Sequence, residues 1–579
     1  MISGNAPAGT VWNNCRYYLT EDGKMVSTPE TFSLKMMPAL SKTPAPKQFY
    51  PGFSSVTNDI IFQQPEANRR FAEFAGKTGS TLVTAGVKPE YAKQLRENGI
   101  RLITSEGYNI ANGFRIGIMD AKKKPADSNY LDKDGNAFDV LEGGEGKQAY
   151  TWNVDIEEKL ADNFWNARYE NILACNIVID ALPVMEIGQD SGKFNHLAGQ
   201  AYALRAYNYW CLANTYAAPY AEENMEKAGV ILRTIPQVDV QARKRSTLRE
   251  TYKLINEDIE KAEKYMEVST AADNKHLLTK PAVWLLGSRI ALFQENWDEV
   301  IRLGELFMKS NAAVYDLNSV NPELLTNIND SKGFCMMDGL VNPEIVFTFG
   351  NSSYSYDFLA ITMSGHVYGL GFRPSQESEN SLLKSYEEGD LRLLAYFKSD
   401  KPGEKDWWGN YTEITYNYQY PIKYRRRYST GAEKPNEKVF HENWRSVEVL
   451  LNLAEAYVRK SNVIDQQAID LLNTLRRGRI STEKYVDKQM ADFKNSDDLL
   501  KFIWAERRRE LCFEEAMRFW DLRRQGMPEI EHRWYTSWNS YETYTLRQGS
   551  PNYVLGIPSS ELTYNTDCID NAREVINAK

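Results

Sequence analysis

The sequence has little of what enzymes most often use for proton transfer and metal binding. Histidine accounts for 5 of 579 residues, and the 6 cysteines are widely spaced with no Cys-x-x-Cys pair. This spacing argues against a zinc site. The signatures Gly-x-Ser-x-Gly, His-Glu-x-x-His and the glycine-rich phosphate-binding loop are absent too. We therefore expect no catalytic residues, no metal and no cofactor.

The sequence also lacks a block of basic residues and a long apolar run. Lys and Arg number 69 against 78 Asp and Glu, so the net charge is −9, which does not suit a nucleic-acid partner. No apolar stretch reaches the roughly 18 residues of a membrane span. The first residues have neither the basic nor the apolar region of a signal peptide, and Cys15 follows Asn14 rather than the small residues of a lipoprotein cleavage site.

Aromatic residues and helical patterns, by contrast, are abundant. The chain has 34 Tyr and 13 Trp, a composition that suits binding by stacking better than proton-transfer chemistry. Apolar residues at helical spacing predict that helices dominate from residue 154 onward. The predicted helices span 154–182, 193–217, 246–267, 281–293, 297–309, 446–460 and 465–479.

Residues 281–309 resemble a tetratricopeptide hairpin, with the small residues Gly287 and Ala291 where two helices would cross closely. A helical pair cannot cover its own apolar face, so neighbouring pairs must stack. The predicted fold is therefore mostly α, a tetratricopeptide-like right-handed helical bundle with a loop-rich, aromatic-rich insertion and few short strands.

The predicted organisation has two regions. Residues 1–150 are expected to form a loop-rich N-terminal region packed on the bundle, and residues 151–579 the helical region. The helical region is interrupted at about 340–440 by a segment, called the insertion below, with strand-like pieces and glycine turns. Within the insertion, the pattern predicts a strand over 344–349 and a helix over 378–386.

Charge is concentrated in one stretch, Glu506 to Gly526, which reads ERRRELCFEEAMRFWDLRRQG and is called the signature stretch below. Glu506 and Glu510 lie one helical turn apart, so they could form an acid/base pair or ligate a metal. The alternative is a network of arginine–carboxylate pairs that fixes helix packing. Arginines hold carboxylates ionised, whereas a general acid needs a raised pKa, so we expect the network, with Arg508 and Glu510 as members. Ser496 is the expected N-cap of the helix that leads into the signature stretch.

The signature stretch resembles the C-terminal motif of the SusD/RagB family, the glycan-capturing outer-membrane lipoproteins of Bacteroidetes. Four more motifs match the family, and all five lie in family order between about residue 150 and the C-terminus. They are Trp165, Tyr169 and Asn176 for "W…Y…N"; Leu204 to Tyr207 for "LRAY"; Leu451 to Tyr457, then Leu472-Asn473 and Arg476-Arg477, for "AEAY…LN…R"; and Ile557-Pro558 with Glu561, Asn565 and Asn571 for the closing "IP…E…N…N".

The resemblance implies a place for the ligand. In the family the site is built by the loop before the "W…Y…N" helix together with the insertion. Two aromatic clusters of this sequence match those positions, and a third, around Trp407 and Trp408, alternates like a strand face. The residues expected to bind ligand are Trp152, Asn153, Tyr354, Tyr356, His366 and Tyr368. Trp152 precedes a helix that begins near Asp155, so we expect its ring to project from a loop held by a rigid element.

The resemblance also implies a function. We expect a non-catalytic cell-surface protein that captures an oligosaccharide or polysaccharide and delivers it to a SusC-like TonB-dependent transporter. Its membrane contact would be only through an N-terminal lipid anchor absent from this sequence. Three alternatives stay open: a peptide-binding uptake protein of the same family, a tetratricopeptide scaffold for protein partners, and a helical glycoside hydrolase.

Overall fold

The computed structural model describes most of the chain from residue 150 onward. Before residue 150 it describes only the backbone of five short strands, β1 to β5, at Tyr18–Leu19, Met25–Val26, Thr81–Thr84, Arg101–Thr104 and Gly117–Met119. The other described residues are 150–153, 158–185, 191–236, 241–266, 274–326, 334–339, 342–350, 374–375, 378–399, 419–424, 439–537 and 540–579. The predicted packing of residues 1–150 on the bundle concerns residues outside this set.

Helices make up most of the described part. The first group is α1 (Glu158–Ala181), α2 (Ser191–Tyr216), α3 (Leu248–Tyr265), α4 (Lys280–Phe293), α5 (Trp297–Ser310) and the short α6 (Pro322–Thr326). After α7 (Arg392–Tyr396), the second group is α8 (Ser446–Ser461), α9 (Gln466–Arg477), α10 (Ser496–Glu510), α11 (Met517–Arg524) and α12 (Ser559–Tyr564). The predicted mostly helical, tetratricopeptide-like fold is confirmed.

Strands are short and pair locally. β6 (Ile345–Phe349) pairs antiparallel with β9 (Glu442–Arg445), and β7 (Phe397–Ser399) pairs with β8 (Gln419–Pro421). β10 (Ile530–Ser537) and β11 (Ser540–Leu546) form a hairpin after α11. The predicted strand at 344–349 is thus confirmed. In the N-terminal part, β3 pairs parallel with β4 and antiparallel with β5, and β1 pairs with β2.

Helix pairs begin at capped ends and cross at glycines. The Thr279 hydroxyl and the Asn296 side chain accept backbone hydrogen bonds at the first turns of α4 and α5. A Cβ on Gly287 would lie 2.6 Å from Leu303 Cδ1, and one on Gly304 would lie 2.6 Å from Leu453 Cδ2. The glycines therefore let α4 approach α5, and α5 approach α8, without displacing these leucine side chains, as the sequence predicted for Gly287.

The main core surrounds α2, whose residues from Ala206 to Tyr216 are all buried. The five described cysteines are buried free thiols, and they are Cys175, Cys211, Cys335, Cys512 and Cys568. Among the described helices, none is both long enough and apolar enough to cross a membrane.

Two local predictions are wrong. The N-cap of α10 is Asn495, whose side chain accepts from Asp498 N at 2.9 Å, and Ser496 is the first helical residue. The helix predicted over 378–386 is reduced to a 3-10 turn at Leu383–Ser385. There Asn380 N donates to Ser378 Oγ, and Leu383 N donates to Ser381 Oγ. Side chains that bond the local backbone in this way compete with a helix.

Candidate ligand-binding face and its buried support

Glu506 and Glu510 of the signature stretch lie inside an arginine network, and neither forms an open site. Glu510 accepts from Arg445 at 2.8 Å, Arg479 at 3.0 Å and Arg392 at 3.1 Å. Glu506 accepts from Arg392 at 2.7 Å and from Arg509 at 2.6 Å. The predicted structural network is confirmed for these residues.

Electrostatics explain why the network excludes acid/base chemistry at these two positions. Burial alone would raise the pKa of Glu510, but Arg479, Arg445 and Arg392 outweigh it and hold the pKa well below its ordinary value. The same balance lowers the pKa of Glu506 to about 2. Both groups are ionised at neutral pH and have no proton to donate. Within the described segments, no group of three or more His, Cys, Asp or Glu side chains is arranged to hold a metal ion.

Arg508 is a correction to the predicted network. Its Nη1 donates to the carbonyl of Asn380 at 2.9 Å, and no carboxylate contacts it among the described residues. Burial lowers its pKa. The side chain leaves α10 on a different face from Glu506 and Glu510, so sequence proximity to them did not place it among their partners.

The insertion leaves and rejoins the bundle at one fixed place. Phe349, the last residue of β6, is paired with Glu442, the first residue of β9. Glu442 accepts from Arg168 on α1 at 3.1 Å and from Tyr207 on α2 at 3.1 Å. At the β6 end, Thr348 N donates to the carbonyl of Lys275 at 2.8 Å. The end at Glu442 is therefore anchored on α1 and α2, and the end at Phe349 on β9 and on the loop before α4. In this arrangement a rigid scaffold positions a binding loop.

Trp152 lies in a buried aromatic stack, which contradicts the prediction that its ring projects from a loop. The residue is 8% exposed and has φ 53°. Its ring stacks on the His532 imidazole with 4.1 Å between centroids, and the Tyr150 ring stacks on the same imidazole with 4.4 Å between centroids. The Trp152 carbonyl accepts from Asn552 Nδ2 at 3.0 Å. The stack holds the entry of α1 against the β10–β11 hairpin.

Of the six residues predicted to bind ligand, Trp152 and Asn153 lie among the described residues. Asn153 is partly exposed beside the aromatic stack. Tyr354, Tyr356, His366 and Tyr368 lie outside the described residues, as do Trp407 and Trp408. A ligand role for Trp152, Asn153, Tyr354, Tyr356, His366 and Tyr368 stays a prediction.

Sequence reading missed His532, Glu442 and Glu515. His532 belongs to the run HRWYTSWNSYETY, which the structure folds into the β10–β11 hairpin. Burial lowers the pKa of its imidazole to about 4, although its Nδ1 contacts the Tyr150 carbonyl at 2.8 Å. The only sequence signal was the position of a histidine between aromatic residues, and such a signal does not name its partner.

The closing motif has a structural role. Asn571 Nδ2 and Arg245 Nη2 donate to the Tyr216 carbonyl at 2.8 and 2.6 Å, and Leu555 N donates to the Thr215 carbonyl at 3.0 Å. These carbonyls belong to the last turn of α2 and have no helical partner of their own. The C-terminal segment therefore caps the central helix of the bundle.

Comparisons with known proteins agree with this architecture. A family model described as "Starch-binding associating with outer membrane" matches residues 109–292, and the SusD family model matches residues 384–571. The SusD-like protein P2 of Formosa agariphila is 23% identical over 451 residues, which cover 74% of this chain and 83% of that protein.

Solved structures show the same fold at low identity. A SusD-like protein from Bacteroides fragilis has a TM-score of 0.54 at 20% identity, covering 74% of this chain and 90% of its own. A SusD superfamily protein from Bacteroides vulgatus also has a TM-score of 0.54 at 20% identity, covering 76% and 92%. A laminarin-binding SusD-like protein has a TM-score of 0.50 at 18% identity, covering 75% and 90%. The two family models, which between them span most of the helical region, show that the chain belongs to the SusD/RagB family.

Proposed function

We propose that this protein binds an oligosaccharide or polysaccharide at the cell surface, without chemical change, and passes it to a SusC-like TonB-dependent transporter. The observation that carries the proposal is family membership: one matching family model is described as starch-binding and associated with the outer membrane. A structural neighbour binds laminarin, a glucan. Attachment to the outer membrane by an N-terminal lipid anchor is part of the same proposal.

The anchored insertion supports binding through its aromatic residues. Tyr354 and Tyr356 follow within seven residues of Phe349, where β6 ends against β9. A sugar presents apolar C–H faces and polar edges, so flat rings on a fixed base and nearby amides are the chemistry that captures it. Asn153 at the entry of α1 supplies one partly exposed amide.

Glu506, Glu510 and Glu515 lend no support to the hydrolase alternative. A glycosidase needs one carboxylic acid and one carboxylate flanking an accessible substrate. Glu506 and Glu510 are buried and ionised, and Glu515, whose pKa is raised to about 8, has a side chain only 3% exposed beneath Tyr207. None of the three can reach a glycosidic bond.

A binding panel run beside a product assay tests the function. The purified chain is titrated with starch oligosaccharides, laminarin oligosaccharides and a mixed peptide pool, while reducing-sugar release is measured on the same samples. We expect saturable binding of a glycan and no product. Product release would establish an enzyme, and binding of peptides alone would establish the peptide-uptake alternative.

Single aromatic substitutions test the predicted residues. Removing a ring that covers about 100 Å² of apolar surface forfeits roughly 2.5 kcal/mol before ordering costs, so Tyr354→Ala and Tyr368→Ala should each weaken glycan binding about tenfold or more. The matched control is Tyr564→Ala, because Tyr564 is 86% exposed on α12. Unchanged affinity in both test variants would move the site to the Trp407–Trp408 cluster.

A further inference from the structure

Glu515 is a buried carboxyl group with an unusual setting. It lies in the break between α10 and α11, with φ 45°, and its side chain is 3% exposed. Its Oε2 is 3.1 Å from the Tyr207 hydroxyl oxygen. The same hydroxyl oxygen is 3.1 Å from Glu442 Oε2. A single tyrosine thus joins two carboxyl groups from distant parts of the chain.

The number of protons decides how these three groups bond. A tyrosine hydroxyl has one hydrogen to donate, and a carboxylate has none. Burial raises the pKa of Tyr207 well above its ordinary value, so the hydroxyl keeps its hydrogen. Two full hydrogen bonds to Tyr207 therefore require a second hydrogen, carried by one of the two carboxyl groups.

The positions of the cations assign that hydrogen to Glu515. Glu442 has Arg168 at 3.1 Å and His441 at 3.3 Å, and these partners outweigh burial and lower its pKa to about 2. Glu515 has only long contacts, at 3.3 and 3.4 Å, to Arg289. Arg289 makes its short bonds, at 2.7 and 2.8 Å, to Glu448 instead.

A charge count of the surrounding ion pairs leads to the same assignment. Arg168 pairs with Glu442, and Arg289 pairs with Glu448. Behind them, two further guanidinium groups meet two further carboxylates: Arg507 and Arg524 with Asp521 and Glu455. Glu515 is then a fifth carboxyl group beside four arginines and four carboxylates, and the remaining cation of the cluster, His441, lies against Glu442. Burial, followed by the charges of Glu442 and Glu448, raises its pKa to about 8, against the attraction of Arg289 and Arg168.

Two other titratable groups face this cluster. Cys211 on α2 is buried, and its thiol pKa is raised to about 12, so it stays neutral. His441 has a side chain 38% exposed on the solvent side of Glu442, and its pKa is raised by that carboxylate although burial acts against it. His441 is therefore the one neighbour whose titration could be confused with that of Glu515.

We propose that Glu515 is a neutral carboxylic acid at physiological pH, which donates to Tyr207 while Tyr207 donates to Glu442. This relay ties the first residue of β9 to α2 and to the signature stretch. Glu515 is thereby a positioning residue for Glu442, where the insertion rejoins the bundle. Its effect on ligand binding rests on the proposed glycan-binding function. Loss of the proton places an uncompensated negative charge beside Glu442 and weakens that tie.

The sign of the pH effect follows from the raised pKa. Between the ordinary value of 4.5 and about 8, the folded chain holds one proton at Glu515 that the unfolded chain has released. Stability therefore falls as the pH rises through this window, and the unfolding constant increases about tenfold per pH unit from this group alone. Above about pH 8 the contribution levels off. A raised pKa of His441 acts with the same sign, so His441→Gln is the necessary control.

Two measurements on the intact chain test the proposal. Infrared spectra of the wild type and of Glu515→Gln are compared at pH 7, where a buried carboxylic acid gives a C=O band above the amide region. Thermal melts of the wild type, Glu515→Gln and His441→Gln are then recorded from pH 6 to pH 9. Glutamine can donate to Tyr207 as the neutral acid does.

We expect the acid band in the wild type and its loss in Glu515→Gln. We also expect the melting temperature to fall with pH in the wild type and in His441→Gln, and to fall less in Glu515→Gln. Absence of the band in the wild type, or equal pH slopes in all three proteins, would overturn the assignment. For any glycan found to bind, the affinity should drop above pH 8 in the wild type and persist in Glu515→Gln. Failure of binding at every pH would count against the proposed function and leave the two proton measurements intact.

Discussion

Glu510 and Glu515 lie five residues apart in the signature stretch, and both are buried, yet their surroundings drive their pKa values in opposite directions. Glu510 is contacted by Arg392, Arg445 and Arg479 at 2.8 to 3.1 Å. Glu515 faces Arg289 at 3.3 Å or more, and that arginine is already paired with Glu448. Burial costs both carboxylates the same kind of free energy, so the arginines in direct contact decide which group stays ionised.

The part of the signature stretch around Glu510 and the part around Glu515 therefore have different structural roles. The Glu510 half joins α7, β9, the segment that follows α9, and α10 through charges that cannot be removed singly. The Glu515 half joins α2 and β9 through a neutral hydrogen-bond relay. The first half should fail when any one charge is lost, whereas the second should respond to pH.

The largest effect should follow from removing a cation on the Glu510 side. Arg445 bonds Glu344, Glu510 and Glu514, and its side chain is fully buried. Arg445→Met leaves three carboxylates short of a partner and should cost about 3–5 kcal/mol of unfolding free energy or prevent folding. Urea denaturation checks this. A loss below about 1 kcal/mol would mean that the network is not the support described above.

The second-largest effect should be on how the unfolding free energy falls at acidic pH. The pKa of Glu506 is lowered to about 2 by Arg392 and Arg509, against burial, so its contribution is present above its ordinary pKa of 4.5 and is lost as the pH falls from there toward 2. A shift of this size corresponds to about 3 kcal/mol. Glu506→Gln should flatten the fall in unfolding free energy measured between pH 5 and pH 3. An unchanged acid slope in this variant would contradict the assignment.

Breaking the relay should have a smaller effect. Tyr207→Phe keeps the ring and removes the hydroxyl that joins Glu442 to Glu515. The two carboxyl groups each lose one hydrogen bond, which should cost about 1–3 kcal/mol at pH 7 by urea unfolding. Tyr564→Phe, at an 86% exposed tyrosine, is the control and should change nothing measurable. Equal effects of the two substitutions would remove the relay from the account.

The smallest effect should be that of Arg508→Met. Arg508 contacts only the Asn380 carbonyl among its described neighbours, and no carboxylate depends on it. We expect a loss within about 1 kcal/mol, in contrast to Arg445→Met. A loss as large as that of Arg445→Met in the same denaturation assay would place Arg508 back in the network.

Much of the fold could be predicted because its signals are local. The helices predicted at 281–293 and 297–309 match α4 and α5 to within one residue, since Thr279 and Asn296 cap them and their apolar faces are regular. The structural role of Glu506 and Glu510 followed from the arginines beside them. The helix predicted at 378–386 failed because serine side chains there bond the backbone.

The rest depended on contacts between distant residues. Trp152 read as a projecting ring because its neighbours in sequence form a loop, but its partner His532 lies 380 residues further along. Likewise nothing near Glu515 in sequence separates it from Glu510, because the difference is made by arginines from distant parts of the chain. Tertiary packing decides which side of a loop faces a partner. It also decides which carboxyl group keeps its proton.

The most direct test of the comparison is to neutralise the two glutamates one at a time. Glu510→Gln and Glu515→Gln make the same chemical change five residues apart, and urea unfolding at pH 7 and pH 9 measures both. We predict that Glu510→Gln loses about 3–5 kcal/mol at both pH values. Glu515→Gln should stay close to the wild type at pH 7 and exceed it at pH 9. Equal losses for the two variants at both pH values would contradict the account, because they would show that both carboxyl groups are ionised and equally paired.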